Sequence, residues 1–225
     1  MMFRTSRKRQ RGQVLIEFAF TALFSVPLIL GLIALGMRFV RELSVTQISR
    51  DLANMYARDD SNAFRADNVN PNLNNIVQRL APGFDFSSTG TGVAIISKVR
   101  KITGADCDAA GVARGSCNTD QAVFEQRIVL GNPAVRVSNF GTPNNLDTQG
   151  NTSYNDQLKN QQEQAVGFLS VLPLNGTQNI IGADGVTPLT LHYEEAYMVE
   201  VIVNTGDLNI PGFMPSTQAY ARNIF

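Results

Sequence analysis

Hydrophobic positions divide the chain sharply. Phe18 to Met37 is a run of twenty residues without a charge. At 1.5 Å per residue it spans about 30 Å as a helix, the thickness of a bilayer's hydrocarbon core. Beyond it, in "RFVRELSVTQISRDLANMYARDD", the apolar residues Phe39, Leu43, Ile48, Leu52, Met55 and Tyr56 recur every one to five positions. That spacing predicts one helical stripe facing a soluble core, with Arg38, Arg41, Glu42, Arg50 and Asp51 mostly off it. A helix over 13–58 would be about 69 Å long, its first half in lipid and its second half packed on a domain. Pro27 is expected to kink or locally unwind it.

Further along, the period changes. "GVAIISKVRKI" (92–102) and "AVFEQRIVL" (122–130) are rich in β-branched residues and predict two strands, paired as a hairpin with a long connection. "TLHYEEAYMVEVIVNTG" (190–206) predicts a third, with Tyr197, Val199, Val201 and Val203 on one face. Asn70-Pro71 opens a short expected helix that stops at Pro82-Gly83. Residues 138–163 are polar and turn-rich, a long loop or lid leading into a helix around 158–169, and the tail 210–225 is expected to be irregular. No strand–helix–strand alternation occurs, so the expected class is α+β: one long N-terminal helix on a small antiparallel sheet.

Charge changes this picture at the N-terminus. The formal net charge is zero, yet five of nineteen basic residues (Arg4, Arg7, Lys8, Arg9, Arg11) precede Gly12. The remainder carries fourteen basic and nineteen acidic residues, a net of −5. A basic face for nucleic acid is therefore absent, and the basic head reads as a topology signal that keeps the N-terminus cytoplasmic. The expected division is a leader over 1–12, a membrane helix over 13–41, and an extracytoplasmic domain over 42–225.

Enzyme chemistry finds little support in the residues. His192 is the only histidine, which excludes multi-histidine metal sites, and it reads as a strand residue. Glu194 and Glu195 are adjacent, so a strand points them to opposite faces. "GTGV" (90–93) lacks the third glycine and the helix of a dinucleotide loop. Asp106 and Asp108 flank Cys107, too short a series for calcium. No cofactor, metal or small-molecule substrate is expected. Cys107 and Cys117 match neither a redox pair nor a zinc site. In an extracytoplasmic domain they read as one disulfide pinning the "CDAAGVARGSC" loop, with two free thiols as the alternative.

Glu17 is the residue that separates the readings of the head. A secretory signal peptide, cleaved after Gly36, would keep this position apolar; a plain signal anchor leaves it unexplained. A carboxylate at membrane depth costs about 2.5–3.5 kcal/mol by insertion scales and marks a function more often than a defect. Gly12, Gln13, three apolar residues, Glu17 and Phe18, behind a basic leader and before an apolar helix, together resemble the prepilin-peptidase signal of type IV pilin-like proteins. More narrowly, "RGQVLIEFAFTALFSVPLILGLIALGMRFVRE" resembles the TadE-like family, minor pilins of the tight-adherence (Flp, type IVb) pilus system. The likeness covers residues 11–58.

The resemblance implies a role for each motif residue. Gly12 ends the leader and Gln13 carries the new α-amino group. Glu17, followed by the aromatic Phe18, pairs with a neighbouring subunit's amino terminus; the plainer alternative is that Glu17 snorkels to the cytoplasmic headgroups. The implied partners are membrane lipid, prepilin peptidase and other pilin and Tad-system subunits, and the implied overall plan is a long helix packed on a sheet. The competing reading is a single-pass, membrane-anchored binding or adhesin domain that never polymerises.

Overall fold

A computed structural model describes residues 7–58, 77–79, 81, 83–172, 174, 177–181, 188–192, 195–204 and 218–225. Two compact units divide the chain between Leu43 and Ser44.

Helix α1, Arg7–Arg58, contributes to both. Its helical assignment is unbroken at Pro27, so the expected local unwinding does not occur. In the first unit every Val, Leu, Ile, Phe and Met from Val14 to Leu43 is exposed. Among the described residues this is the one helix long and apolar enough to cross a membrane. Such a continuous apolar surface is unstable in water and is satisfied by lipid or by other helices.

The second unit is α+β. Its four-stranded antiparallel sheet is built from β1 (Gly92–Lys101), β2 (Ala122–Gly131), β5 (Glu195–Asn204) and β6 (Gln218–Ile224), in the order β2-β1-β5-β6. β3 (Thr177–Ile181) and β4 (Pro188–His192) form a separate two-stranded ladder. The hairpin expected from 92–102 and 122–130 is present, with Val93 opposite Gly131 and Lys101 opposite Ala122. Glu125 is an extra residue in β2 where the register shifts between Lys98 and Val99. β2 stops at Gly131, whose φ of 91° suits only glycine and whose Cβ would lie 2.4 Å from the Gly92 carbonyl oxygen.

One sheet face packs on the second half of α1. Val45, Ile48, Ser49, Leu52, Ala53 and Tyr56 are buried, at helical intervals of three and one. They meet Ala94, Ile96, Ile128, Val199, Val201 and Val203, with Phe86 in the same core. The stripe therefore differs from expectation at its start: Phe39 and Leu43 are exposed, and the buried row begins at Val45. Small Ser49 and Ala53 let the helix approach the sheet, and the Ser49 hydroxyl donates to the Val199 carbonyl at 3.3 Å. Tyr197, Val199, Val201 and Val203 share this face as expected.

Three other expectations are corrected. The strand over 190–206 is two strands: β4 ends at His192 and β5 starts at Glu195, with 193–194 outside the described residues. The helix around 158–169 is broken into α3 (Tyr154–Lys159), a 3-10 turn (Gln161–Glu163) and α4 (Phe168–Val171). Asn160 turns extended to cap the 3-10 turn, and Gly167 at φ 74° resets the chain before α4. The tail contains β6, which was expected to be irregular. Of the helix expected from Asn70, residues 70–76 lie outside the described residues and 77–79 are helical.

Candidate functional site

The N-terminal motif occupies continuous helix. Gly12 and Gln13 fall within α1, with no break between them. One turn on, Glu17 is exposed and accepts from its own helix: Gln13 Nε2 stands 3.4 Å from Glu17 Oε1. Thr21 Oγ1 donates to the Glu17 carbonyl at 2.8 Å. Phe18, next in sequence, is 73% exposed, so the carboxylate emerges between apolar side chains. A carboxylate has about four lone-pair sites, and a single neutral amide at the long end of hydrogen-bond range satisfies only one. The other lone-pair sites are able to accept from a further donor.

In the second unit Cys107 and Cys117 form a disulfide, their Cα atoms 6.2 Å apart. It closes a connection that begins with α2 (Gly104–Ala109), which is started by a reciprocal cap between Thr103 and Asp106. Asp106 is further bound by Arg100 at 3.1 Å, and Asp108 by Arg114 at 2.6 Å. Both carboxyls are held below their ordinary range. For Asp108 the Arg114 hydrogen bond is the main cause; for Asp106 the Thr103 and Arg100 bonds outweigh burial. Arginine thus occupies the oxygens that calcium would need. Among the described residues no group of three or more His, Cys, Asp or Glu is placed to hold a metal ion.

The sheet face away from α1 holds charges that strand periodicity does not reveal. Arg127 on β2 is buried; its Nε donates to Ser97 Oγ at 3.1 Å and its Nη1 to the Gly141 carbonyl at 2.8 Å, and its guanidinium lies 4.2 Å from the Phe124 ring centroid. Burial pushes Arg127 down to about 10, while the Glu200 carboxylate pulls the other way. Glu200 on β5 is also buried and accepts from the Tyr220 hydroxyl at 2.8 Å. Burial, then Glu200, pushes the Tyr220 phenol up to about 12. Among the described residues, Arg127 Nη2 and Glu200 Oε2 have no hydrogen-bond partner. The sequence signal is a charge set among apolar strand residues: Arg127 before "IVL" in "FEQRIVL", where Glu125 is a second charge, and Glu200 alone in "YMVEVIV".

The polar segment 138–163 is not a free lid. Gly150 and Thr152 bond to the outer edge of β2, and Ser138, Phe140, Thr152, Gln157 and Glu163 are buried. Glu163 Oε1 stands within 3.2–3.4 Å of the backbone N–H groups of Asn144 and Asn145 and of Asn160 Nδ2, which fastens the segment to itself. His192 is a strand residue in β4, as expected.

No protein-family model matches the chain, and no curated protein or solved structure matches it.

Proposed function

We propose that the chain is a TadE-like minor pilin or pseudopilin of a type IVb, tight-adherence pilus system, cut between Gly12 and Gln13 and used in pilus biogenesis. The observation that carries this reading is Glu17: an exposed carboxylate on an apolar helix, one turn beyond Gly12, with Gln13 of its own helix as its one side-chain partner among the described residues. After cleavage the Gln13 α-amine becomes a cation about 6 Å along the helix axis from Glu17. That geometry permits a pair within one chain or between neighbours, and neighbouring helices in lipid gain the most by satisfying each other's charges. The second half of α1 packed on an antiparallel sheet also fits the pilin plan.

The mechanism is physical. The helix waits in the inner membrane with the C-terminal domain outside, and assembly transfers its apolar surface from lipid to a bundle of like helices. Glu17 paired with a neighbour's terminus sets the axial register, because a one-turn slip leaves both charges unpaired.

Mass spectrometry of the protein purified from its host tests the first step. A mature chain starting at Gln13 is expected; an intact leader, or cleavage after Gly36, sinks the proposal and leaves the anchored binding domain. Glu17→Ala is expected to keep membrane insertion and lose piliation. Normal pili in that variant would assign Glu17 to the headgroups instead.

A further inference from the structure

The two edges of the sheet are treated differently. β2 is covered along its first half: Arg127 N–H donates to the Gly150 carbonyl at 2.7 Å, Thr152 N–H to Glu125 at 2.9 Å, and Ala165 N–H to Ala122 at 2.8 Å. Among the described residues β6 has no such cover. Tyr197 and Phe225 exchange both backbone bonds, at 2.9 and 3.1 Å, which fixes the alternation along the β5–β6 ladder. Ala219, Ala221, Asn223 and Phe225 bond inward, while the N–H and C=O groups of Tyr220, Arg222 and Ile224 point outward. Among the described residues nothing pairs with them. The strand "QAYARNIF" has no proline and no bulge, and a single charge. Natural sheets usually blunt such an edge, and the described residues leave this one open.

Charge selects the occupant. Tyr220 and Arg222 are exposed along the edge, and Arg136 lies over the Tyr220 ring at 4.8 Å. Arg222 lies 5.2 Å from the Phe140 ring centroid. Neither arginine is ion-paired among the described residues; Glu200, cross-strand from Arg222, is buried and has one oxygen bound by the Tyr220 hydroxyl. A basic edge thus stands on a domain whose sequence is acidic overall. A second copy pairing antiparallel through β6 would bring two Arg222 and two Arg136 together with no acid on either strand. An acidic strand meets both arginines favourably.

We propose that the β6 edge is a docking site for an extended segment of another protein, added as a fifth strand and carrying acidic side chains toward Arg222 and Arg136. Backbone bonds to Tyr220, Arg222 and Ile224 supply affinity, and the two arginines supply selectivity. The inference stands independently of Glu17 and of any role in a pilus.

Amide hydrogen exchange on the full chain in detergent micelles tests it, with an end-blocked synthetic peptide of alternating valine and glutamate as probe. At a peptide concentration about ten times its dissociation constant, exchange at Tyr220, Arg222 and Ile224 is expected to slow roughly tenfold, because only the free edge exchanges. Lysine in place of glutamate should abolish the effect, and Arg222→Glu should make the lysine peptide the better ligand. Protection of the Val199 and Ile96 amides reports that this variant is folded; if it is not, loss of the glutamate-peptide effect at high salt in the unaltered protein tests the same charge dependence. Absence of slowing, equal slowing by both peptides, or edge protection that rises with protein concentration alone would each overturn the proposal, the last by showing a second copy in the site.

Discussion

Truncating Leu52 to alanine tests where the buried stripe of α1 begins. Leu52 is fully buried against the sheet, whereas Leu43, nine residues earlier, is 68% exposed. The substitution removes three carbons, worth about 2.4 kcal/mol at roughly 0.8 kcal/mol each. Incomplete collapse of the void adds about 24 cal/mol per Å³, giving an expected loss of about 2.5–5 kcal/mol. For a domain of this size each kcal/mol moves the midpoint by about 2–4 °C, so Leu52→Ala should lower it by roughly 5–20 °C. Leu43→Ala, at a largely exposed side chain, should change stability by less than about 0.5 kcal/mol. Thermal unfolding of the full chain in micelles, followed by near-ultraviolet circular dichroism, reads both. Equal losses, or a larger loss for Leu43, would show that the packed stripe begins earlier and that the buried row from Val45 is misplaced.

The buried charges on the other face give a second test. Arg127→Met leaves Glu200 buried without its counter-charge and should cost about 3–5 kcal/mol, with Arg127→Met/Glu200→Leu recovering much of it; denaturant midpoints measure the difference. Replacing Cys107 and Cys117 together by serine frees a loop spanned by a sequence separation of 10 and should cost about 2.5–3 kcal/mol by loop-closure entropy, read in the same titration. Alkaline stability provides the last. Tyr220 has a folded pKa above the unfolded one, so its contribution is complete below pH 10 and is lost as pH rises toward about 12. Tyr56 is shifted the same way, mainly by burial. Tyr220→Phe should flatten part of the stability loss above pH 10, and an unchanged slope would show that the phenol is not held by Glu200.

What was legible in the sequence follows from the range of the interactions involved. The long helix, the β1–β2 hairpin and the inward face of β5 rest on local periodicity, and they fold as the pattern predicts. Phe39 and Leu43 depart from the pattern because an apolar residue on a helix carries no label for what it faces. β6 escaped notice because its inward residues on the α1 side are Ala219 and Ala221, too small to mark a buried face, and its place is fixed by pairing with β5. Arg127 and Glu200 are the converse case: a charge in a strand reads as an outward position, until cover from distant segments buries it. Glu17 needed none of this, since a carboxylate in an apolar run is anomalous from its neighbours alone. The β6 edge is the opposite case, because a strand left unpaired among the described residues is recognised from the rest of the fold and not from its own sequence.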